Sequence, residues 1–139
     1  LHAADVTLRD ELVPLNRKWP IAELVAAGRR FADRTRRRVS FEYVMIDGVN
    51  DSLPLAERLG RLAAGWLSHV NLIPLNPTPG FAGRAPAPAQ VQAFRERLGA
   101  LGVNATVRRT MGASIDAACG QLAGSLPTGA AGLCQTERP

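Results

Sequence analysis

The chain has 139 residues, 46% of them hydrophobic, which is long enough for one domain with a buried core. No run of about 18 uncharged apolar residues occurs, and the first residues lack the basic and apolar regions of a signal peptide. These features exclude the transmembrane and secreted classes and predict a cytoplasmic protein without membrane contact. The chain opens on Leu1 with no initiating methionine, which indicates a fragment of a longer protein.

Cysteine and arginine content limits the cofactors and partners that this chain can hold. Its two cysteines, Cys119 and Cys134, cannot form a four-ligand zinc or iron–sulfur site, so no metal site is predicted here. Seventeen basic residues against twelve acidic ones give a net charge of +5, and Lys18 is the only lysine. The guanidinium group of arginine binds phosphate and stacks on bases, so this composition favours a nucleic-acid partner. An arginine bias can equally reflect genomic base composition.

The N-terminal part of the chain predicts two helices followed by a strand. A short helical piece around Leu8–Leu12 ends at Pro14. Apolar residues then recur at helical spacing from Ile21 to about Asp33, which predicts an amphipathic helix. The β-branched and aromatic segment Val39–Ile46 predicts a strand that is mostly apolar on both faces. Whether Glu42 in this strand faces the interior of the fold or an edge stays open.

The middle of the chain predicts a second helix and strand with a polar turn before them. Residues 47–52 form a polar turn that can cap the next helix, expected from Leu53 to about Leu67. Residues 70–75 predict a short buried strand. Residues 76–88 contain four prolines and two glycines, which exclude regular structure and predict a long ordered loop. Loops of that length are usually functional.

The last predicted elements complete a regular alternation of helices and strands. A third helix, marked by apolar residues from Val91 to Leu101, stops at Gly102, and a third strand follows over Val103–Arg109. This order is typical of βα units on a parallel sheet. The predicted fold class is therefore α/β, either half of a barrel or a doubly wound sheet.

Polar segments follow each predicted strand, and Cys119 comes soon after the last of them. Because chemistry gathers at the carboxyl ends of parallel strands, residues 47–50, 74–76 and 109–112 are expected to converge with Cys119 on one rim. Small residues around this thiol leave space for a substrate, and amides at a helix start would lower the thiol pKa. The alternative is an inert, packed thiol in an alanine-rich segment.

Four segments, in the right order, resemble the radical S-adenosylmethionine RNA methyltransferases of the RlmN family, which methylate carbon 2 of adenosine in 23S rRNA and tRNA. The resemblance covers about residues 1–124. The segments are Leu1–Ala3 with Leu8–Asn16, Phe41–Asp51, Asn71–Pro77 and Asp116–Gly124.

The resemblance implies a partial (βα)6 radical-SAM barrel, of which residues 1–124 are the C-terminal half. The tail over residues 125–139 is rich in glycine, alanine, proline and threonine, which predicts disorder. It implies that Cys119 is the residue methylated by S-adenosylmethionine and that it passes this carbon on to the RNA. It also implies that Asn76 contacts S-adenosylmethionine, together with a Ser-Leu-His tripeptide of which Leu1 and His2 are present.

The family's chemistry also requires groups that this chain lacks. Carbon 2 of adenine is electron-poor, so the implied route uses a deoxyadenosyl radical, made at a 4Fe-4S cluster, and release by a second cysteine. The cluster ligands and that second cysteine lie N-terminal to Leu1 in the family, and Cys134 matches no family position. The chain alone is therefore predicted to bind no cluster and to be inactive, and a reductant protein is an expected partner of the whole enzyme.

The sequence is also compatible with two other functions. The C8-methylating paralogue shares the cysteine segment and the barrel, and a noncatalytic RNA-binding module would keep the fold and the charge.

Arg108 and Arg109 lead into the Cys119 loop and are expected to face RNA. The arginine cluster around the end of the first long helix is most simply a solvated surface, with phosphate contact as the alternative; it comprises Arg29, Arg30, Arg34, Arg36, Arg37 and Arg38.

Overall fold

A computed structural model describes residues 1–76 and 79–108 of the chain. The expectations for Arg109, Cys119, Cys134 and the tail at 125–139 lie outside the described residues. Among the residues described, no helix is long and apolar enough to cross a membrane.

Four helices and three strands alternate along the described chain. A single turn of 3-10 helix at Pro14–Arg17 separates the first two helices and was not expected from the sequence. The elements are α1 (Val6–Leu12), α2 (Ile21–Thr35), β1 (Val39–Met45), α3 (Leu53–Ala63), β2 (Ser68–Pro74), α4 (Pro88–Ala100) and β3 (Ala105–Val107).

The three strands form one parallel sheet in the order β1-β2-β3. Val39 pairs with Ser68 at the start of β1 and β2, and Val70 pairs with Ala105 where β3 joins. Parallel neighbours need a crossover, and α3 and α4 provide the two crossovers. The α/β class with parallel strands, expected from the alternation of elements, is confirmed.

The core lies between one face of the sheet and helices α3 and α4. Tyr43 and Phe94 are fully buried, and their ring centroids lie 5.5 Å apart. Phe41 packs edge-on against Trp66 at 5.7 Å. Gly60 brings α3 close to the end of α4, because a Cβ there would lie 2.3 Å from a side-chain carbon of Leu101. Buried leucines and valines from β2, α3 and α4 fill the remaining space.

Helix α3 and strand β3 are shorter than the sequence predicts. The helix was expected to reach Leu67 but ends at Ala63, because Gly65 adopts a positive φ of +80° and turns the chain into β2. Leu67 is consequently exposed. The predicted polar turn supplies the N-cap residue of α3, Ser52, but the Ser52 side chain makes no capping hydrogen bond. Strand β3 has three residues instead of the expected seven.

Strand β1 is not apolar on both faces, which corrects the prediction from its composition. Its burial alternates, with Phe41, Tyr43 and Met45 in the core and Ser40 and Glu42 exposed on the opposite face. β-branched and aromatic residues favour a strand, but the elements that pack against the sheet decide which face of the strand is buried. The second face of this sheet is polar.

The N-terminal residues lie beside the free edge of β1. The Leu1 nitrogen donates to the Glu42 carbonyl oxygen at 2.7 Å, and the Arg9 Nε donates to the Leu1 carbonyl oxygen at 3.3 Å. Arg9 is buried and also donates to the side chain of Asn16, which is itself 2% exposed. This buried polar pair anchors the segment before α2 to the start of the chain.

Candidate functional site

The loop after β1 is organised by the side chain of one buried asparagine, Asn50. Its Oδ1 accepts from the Ile46 amide at 2.7 Å, and its Nδ2 donates to the carbonyl oxygens of Val44 at 2.7 Å and His2 at 2.8 Å. Its own carbonyl oxygen accepts from the Tyr43 hydroxyl at 2.8 Å. Asn50 is fully buried, so each of these groups is satisfied away from water.

His2 is fixed against β1 through both its ring and its backbone. The Val44 amide donates to His2 Nδ1 at 3.2 Å, and Asn50 holds the His2 carbonyl. An imidazole that accepts at Nδ1 carries its proton on Nε2, so the ring presents an N–H donor. Burial lowers the His2 pKa, and nearby positive charge, including that of Arg9, lowers it further. His2 adopts a positive φ of 62°, which is uncommon outside glycine.

The loop after β2 folds back onto the loop after β1. The Leu75 amide donates to the Met45 carbonyl at 3.0 Å, which carries the pairing one residue past the strands. Arg84 then makes two contacts with Asp47: its Nε donates to the carboxylate at 2.6 Å, and its carbonyl accepts from the Asp47 amide at 2.9 Å. Asn76 is exposed at the start of this loop. The loops after β1 and β2 therefore meet at the carboxyl ends of these strands.

The polar face of the sheet carries a row of hydrogen-bonded side chains. Glu42, Asn71 and Thr106 share one register across β1, β2 and β3. Asn71 Nδ2 donates to Glu42 Oε2 at 2.9 Å, and Thr106 Oγ1 donates to Asn71 Oδ1 at 3.2 Å. His69 Nε2 lies 2.9 Å from Thr106 Oγ1 and ends the row. Glu42 thus faces the polar side of the sheet, which the sequence left open.

The predicted site residues are brought together only in part. Leu1, His2 and the loop containing Asn50 form one cluster. Asn76 begins the neighbouring loop, which follows β2 at the same end of the sheet. Cys119 lies outside the described residues, so its role and its distance from Asn76 stay predictions. Asn50 was expected on the rim with the rest of residues 47–50, but its role in holding this loop was not predicted. The available signal was a polar residue in the turn straight after an apolar strand.

The arginine residues expected on the surface are exposed. Arg36 ends α2 in a left-handed conformation with φ of 55°, and the other members of the cluster lie in its last turns or just beyond. Arg108 is exposed after β3, and its amide donates to the Leu72 carbonyl at 2.8 Å. Exposure agrees with the prediction that the cluster is a solvated surface, and it places the Arg108 side chain at the surface where β3 ends.

An open groove of about 310 Å³ lies on the outer face of α2, lined by Trp19, Leu24 and Ala27 among others. It contains none of the predicted site residues. No group of three or more histidine, cysteine, aspartate or glutamate side chains that could hold a metal occurs within residues 1–76 and 79–108.

Comparison with known proteins identifies the family, although no family model matches the chain. A protein of Parafrankia sp. described as "Probable dual-specificity RNA methyltransferase RlmN" is 58% identical over 127 residues, which are 91% of this chain and 33% of that protein. A protein of Thermobifida fusca with the same description is 56% identical over 90% of this chain and 34% of its own length. Over the residues matched, the resemblance to the RlmN family is confirmed.

Solved structures agree with this assignment. A radical SAM methyltransferase from Sphaerobacter thermophilus superposes with a TM-score of 0.83 at 56% identity, over 87% of this chain and 36% of that one. A domain of pyruvate-formate lyase-activating enzyme from Bacteroides vulgatus superposes with a TM-score of 0.61 at 19% identity, which supports the fold alone. The fold is a partial radical-SAM fold. The chain spans about a third of the curated RlmN relatives that it matches.

Proposed function

We propose that this chain is the C-terminal part of a radical S-adenosylmethionine RNA methyltransferase that methylates carbon 2 of adenosine in 23S rRNA and tRNA. The observation that carries the proposal is the 58% identity to an RlmN protein over nine-tenths of the chain. The arrangement of the site supports it. The loops after β1 and β2 meet at the carboxyl ends of the parallel strands, and Asn50, in the first of these loops, holds the His2 carbonyl.

The described residues fit S-adenosylmethionine but not an iron–sulfur cluster. The methyl donor carries hydroxyl groups, an ammonium, a carboxylate and adenine. The described residues offer the His2 Nε2–H donor beside β1 and the Glu42 carboxylate on the polar face of the sheet. A cluster of the radical-SAM type needs three cysteine ligands, and the chain has two cysteines in all. The cluster is therefore assigned to a part of the enzyme outside this chain, and a reductant protein is proposed as a partner of the whole enzyme.

We propose Cys119 as the residue that receives the methyl group. Its thiolate attacks the methyl carbon of the sulfonium; the S–CH3 bond to cysteine forms, the bond to the donor sulfur breaks, and S-adenosylhomocysteine leaves. The thiol proton is lost before the attack. Asn76 is proposed to contact the same S-adenosylmethionine, and Arg108 and Arg109 to contact RNA phosphates.

The test uses the full-length enzyme with unmodified 23S rRNA fragments and tRNA, with nucleosides analysed by mass spectrometry. We expect 2-methyladenosine in both RNAs from the wild type and none from Cys119→Ala. Methylation at carbon 8 would assign the protein to the C8-methylating paralogues. RNA binding without any methylation by a cluster-loaded, reduced enzyme would indicate a noncatalytic module.

A further inference from the structure

The side chain of Glu42 lies on the face of the sheet opposite the helices. Its strand neighbours Phe41 and Tyr43 point into the core, whereas Glu42 is exposed and pairs in register with Asn71. None of the ion pairs within residues 1–76 and 79–108 includes it. An exposed carboxylate on this face of the sheet can accept further hydrogen bonds from a ligand.

The row of side chains that ends at Glu42 has a fixed donor direction. Thr106 uses its single hydroxyl proton towards Asn71 Oδ1, so His69 Nε2 must donate to Thr106. Asn71 therefore accepts at Oδ1 and donates from Nδ2 to Glu42 Oε2. The direction runs from His69 to the Glu42 carboxylate, which is the final acceptor. Its position is set by the strand on one side and by Asn71 on the other.

Glu42 lies on β1 beside two of the predicted cofactor contacts, Leu1 and His2. The Leu1 nitrogen bonds the Glu42 carbonyl at 2.7 Å, and the His2 ring bonds the amide of Val44, two residues further along β1. A ligand that contacts Leu1 and His2 therefore lies next to the part of β1 that carries Glu42.

A carboxylate is a strong acceptor for a pair of hydroxyl groups. Asp and Glu bind ribose hydroxyls in dinucleotide-binding folds, where a charged acceptor also strengthens the bonds. We propose that Glu42 accepts hydrogen bonds from the ribose hydroxyls of S-adenosylmethionine, with Asn71 as the positioning residue that holds its carboxylate. The inference rests on the proposed function and adds a ribose contact from β1 to it.

The experiment measures binding of S-adenosylhomocysteine and of its 2′,3′-dideoxy analogue to the full-length enzyme by titration calorimetry. Glu42→Gln keeps an acceptor for Asn71 and removes the charged acceptor for the ligand. We expect this variant to bind S-adenosylhomocysteine about tenfold to a hundredfold more weakly, as for loss of a charge-assisted hydrogen bond. The dideoxy analogue should bind the variant and the wild type equally. Glu96→Gln, an exposed change on α4, is the matched control and should change neither affinity.

Asn71→Ala tests the positioning role. It should weaken S-adenosylhomocysteine and leave the dideoxy analogue unaffected, and it should add little to Glu42→Gln in the double variant. Equal losses for both ligands would show a merely structural effect of Asn71 and would overturn its role.

The proposal is overturned if Glu42→Gln binds S-adenosylhomocysteine as tightly as the wild type, or if it weakens both ligands equally. A loss confined to RNA binding would mean that Glu42 meets the substrate and would also overturn it. If the wild type itself does not bind S-adenosylhomocysteine, the proposed function fails first, and the two failures are distinguished by that control.

Discussion

Replacing Asn50 with alanine should destabilise the protein more than any other single polar change at the rim. The substitution removes three side-chain hydrogen bonds and leaves the buried Ile46 amide without its acceptor. At roughly 1 kcal/mol for each net bond and a further 1–2 kcal/mol for the stranded amide, we expect a loss of about 4 kcal/mol. Because Asn50 also holds the His2 carbonyl, binding of S-adenosylhomocysteine should fall as well.

The measurement is urea unfolding of the full-length protein, with hydrogen exchange at the Ile46 amide as a local probe. Asn104→Ala is the matched control, since Asn104 is exposed and its change should cost less than about 0.5 kcal/mol. Asn50→Asp should be at least as harmful as alanine near neutral pH, because a carboxylate would face the carbonyls of Val44 and His2. An Asn50→Ala loss below about 1 kcal/mol, with unchanged exchange at Ile46, would refute this reasoning.

Three further outcomes follow from burial, packing and charge. Burial is the main cause that lowers the His69 pKa, so folding favours the neutral imidazole. The free energy of unfolding should therefore fall as the pH drops through about 6.5. His69→Gln should make this fall with pH less steep, as measured by unfolding at several pH values. Gly60→Ala should lower the free energy of unfolding by about 1 kcal/mol relative to Gly99→Ala in urea unfolding, because its Cβ would displace the end of the Leu101 side chain and crowd the Leu101 Cβ at 3.2 Å. Gly99→Ala in α4 meets nothing within 4 Å and should be neutral or stabilising. Arg108→Glu in the full-length enzyme should weaken RNA binding and flatten its salt dependence, while Arg95→Glu on α4 should do neither; unchanged affinity and salt slope would remove Arg108 from the interface.

The order of elements was predictable from the sequence because periodicity carries it. Apolar residues at helical spacing gave α2, α3 and α4, and short apolar runs between them gave β1 and β2. The ends were less predictable. The end of α3 depends on the positive φ of Gly65, and the polar face of β1 depends on what packs on each side of the sheet.

The site was predictable to the extent that topology decides it. Parallel strands bring the loops after β1 and β2 to one edge, as expected, and Arg84 joins them through Asp47. The roles of Asn50 and Glu42 were not predictable, since a side chain in a turn or strand gives no sign of its partners across the fold. The position of Cys119 stays a prediction from the family motif.

The central claim is that the sulfur of Cys119 receives a methyl group from S-adenosylmethionine. The most direct test incubates the full-length enzyme with S-adenosylmethionine carrying a deuterated methyl group and analyses its peptides by mass spectrometry. The account predicts a labelled methyl group on the peptide containing Cys119, located at that sulfur. A peptide that stays unlabelled in an enzyme that nevertheless methylates RNA, or a label on another residue, would contradict it.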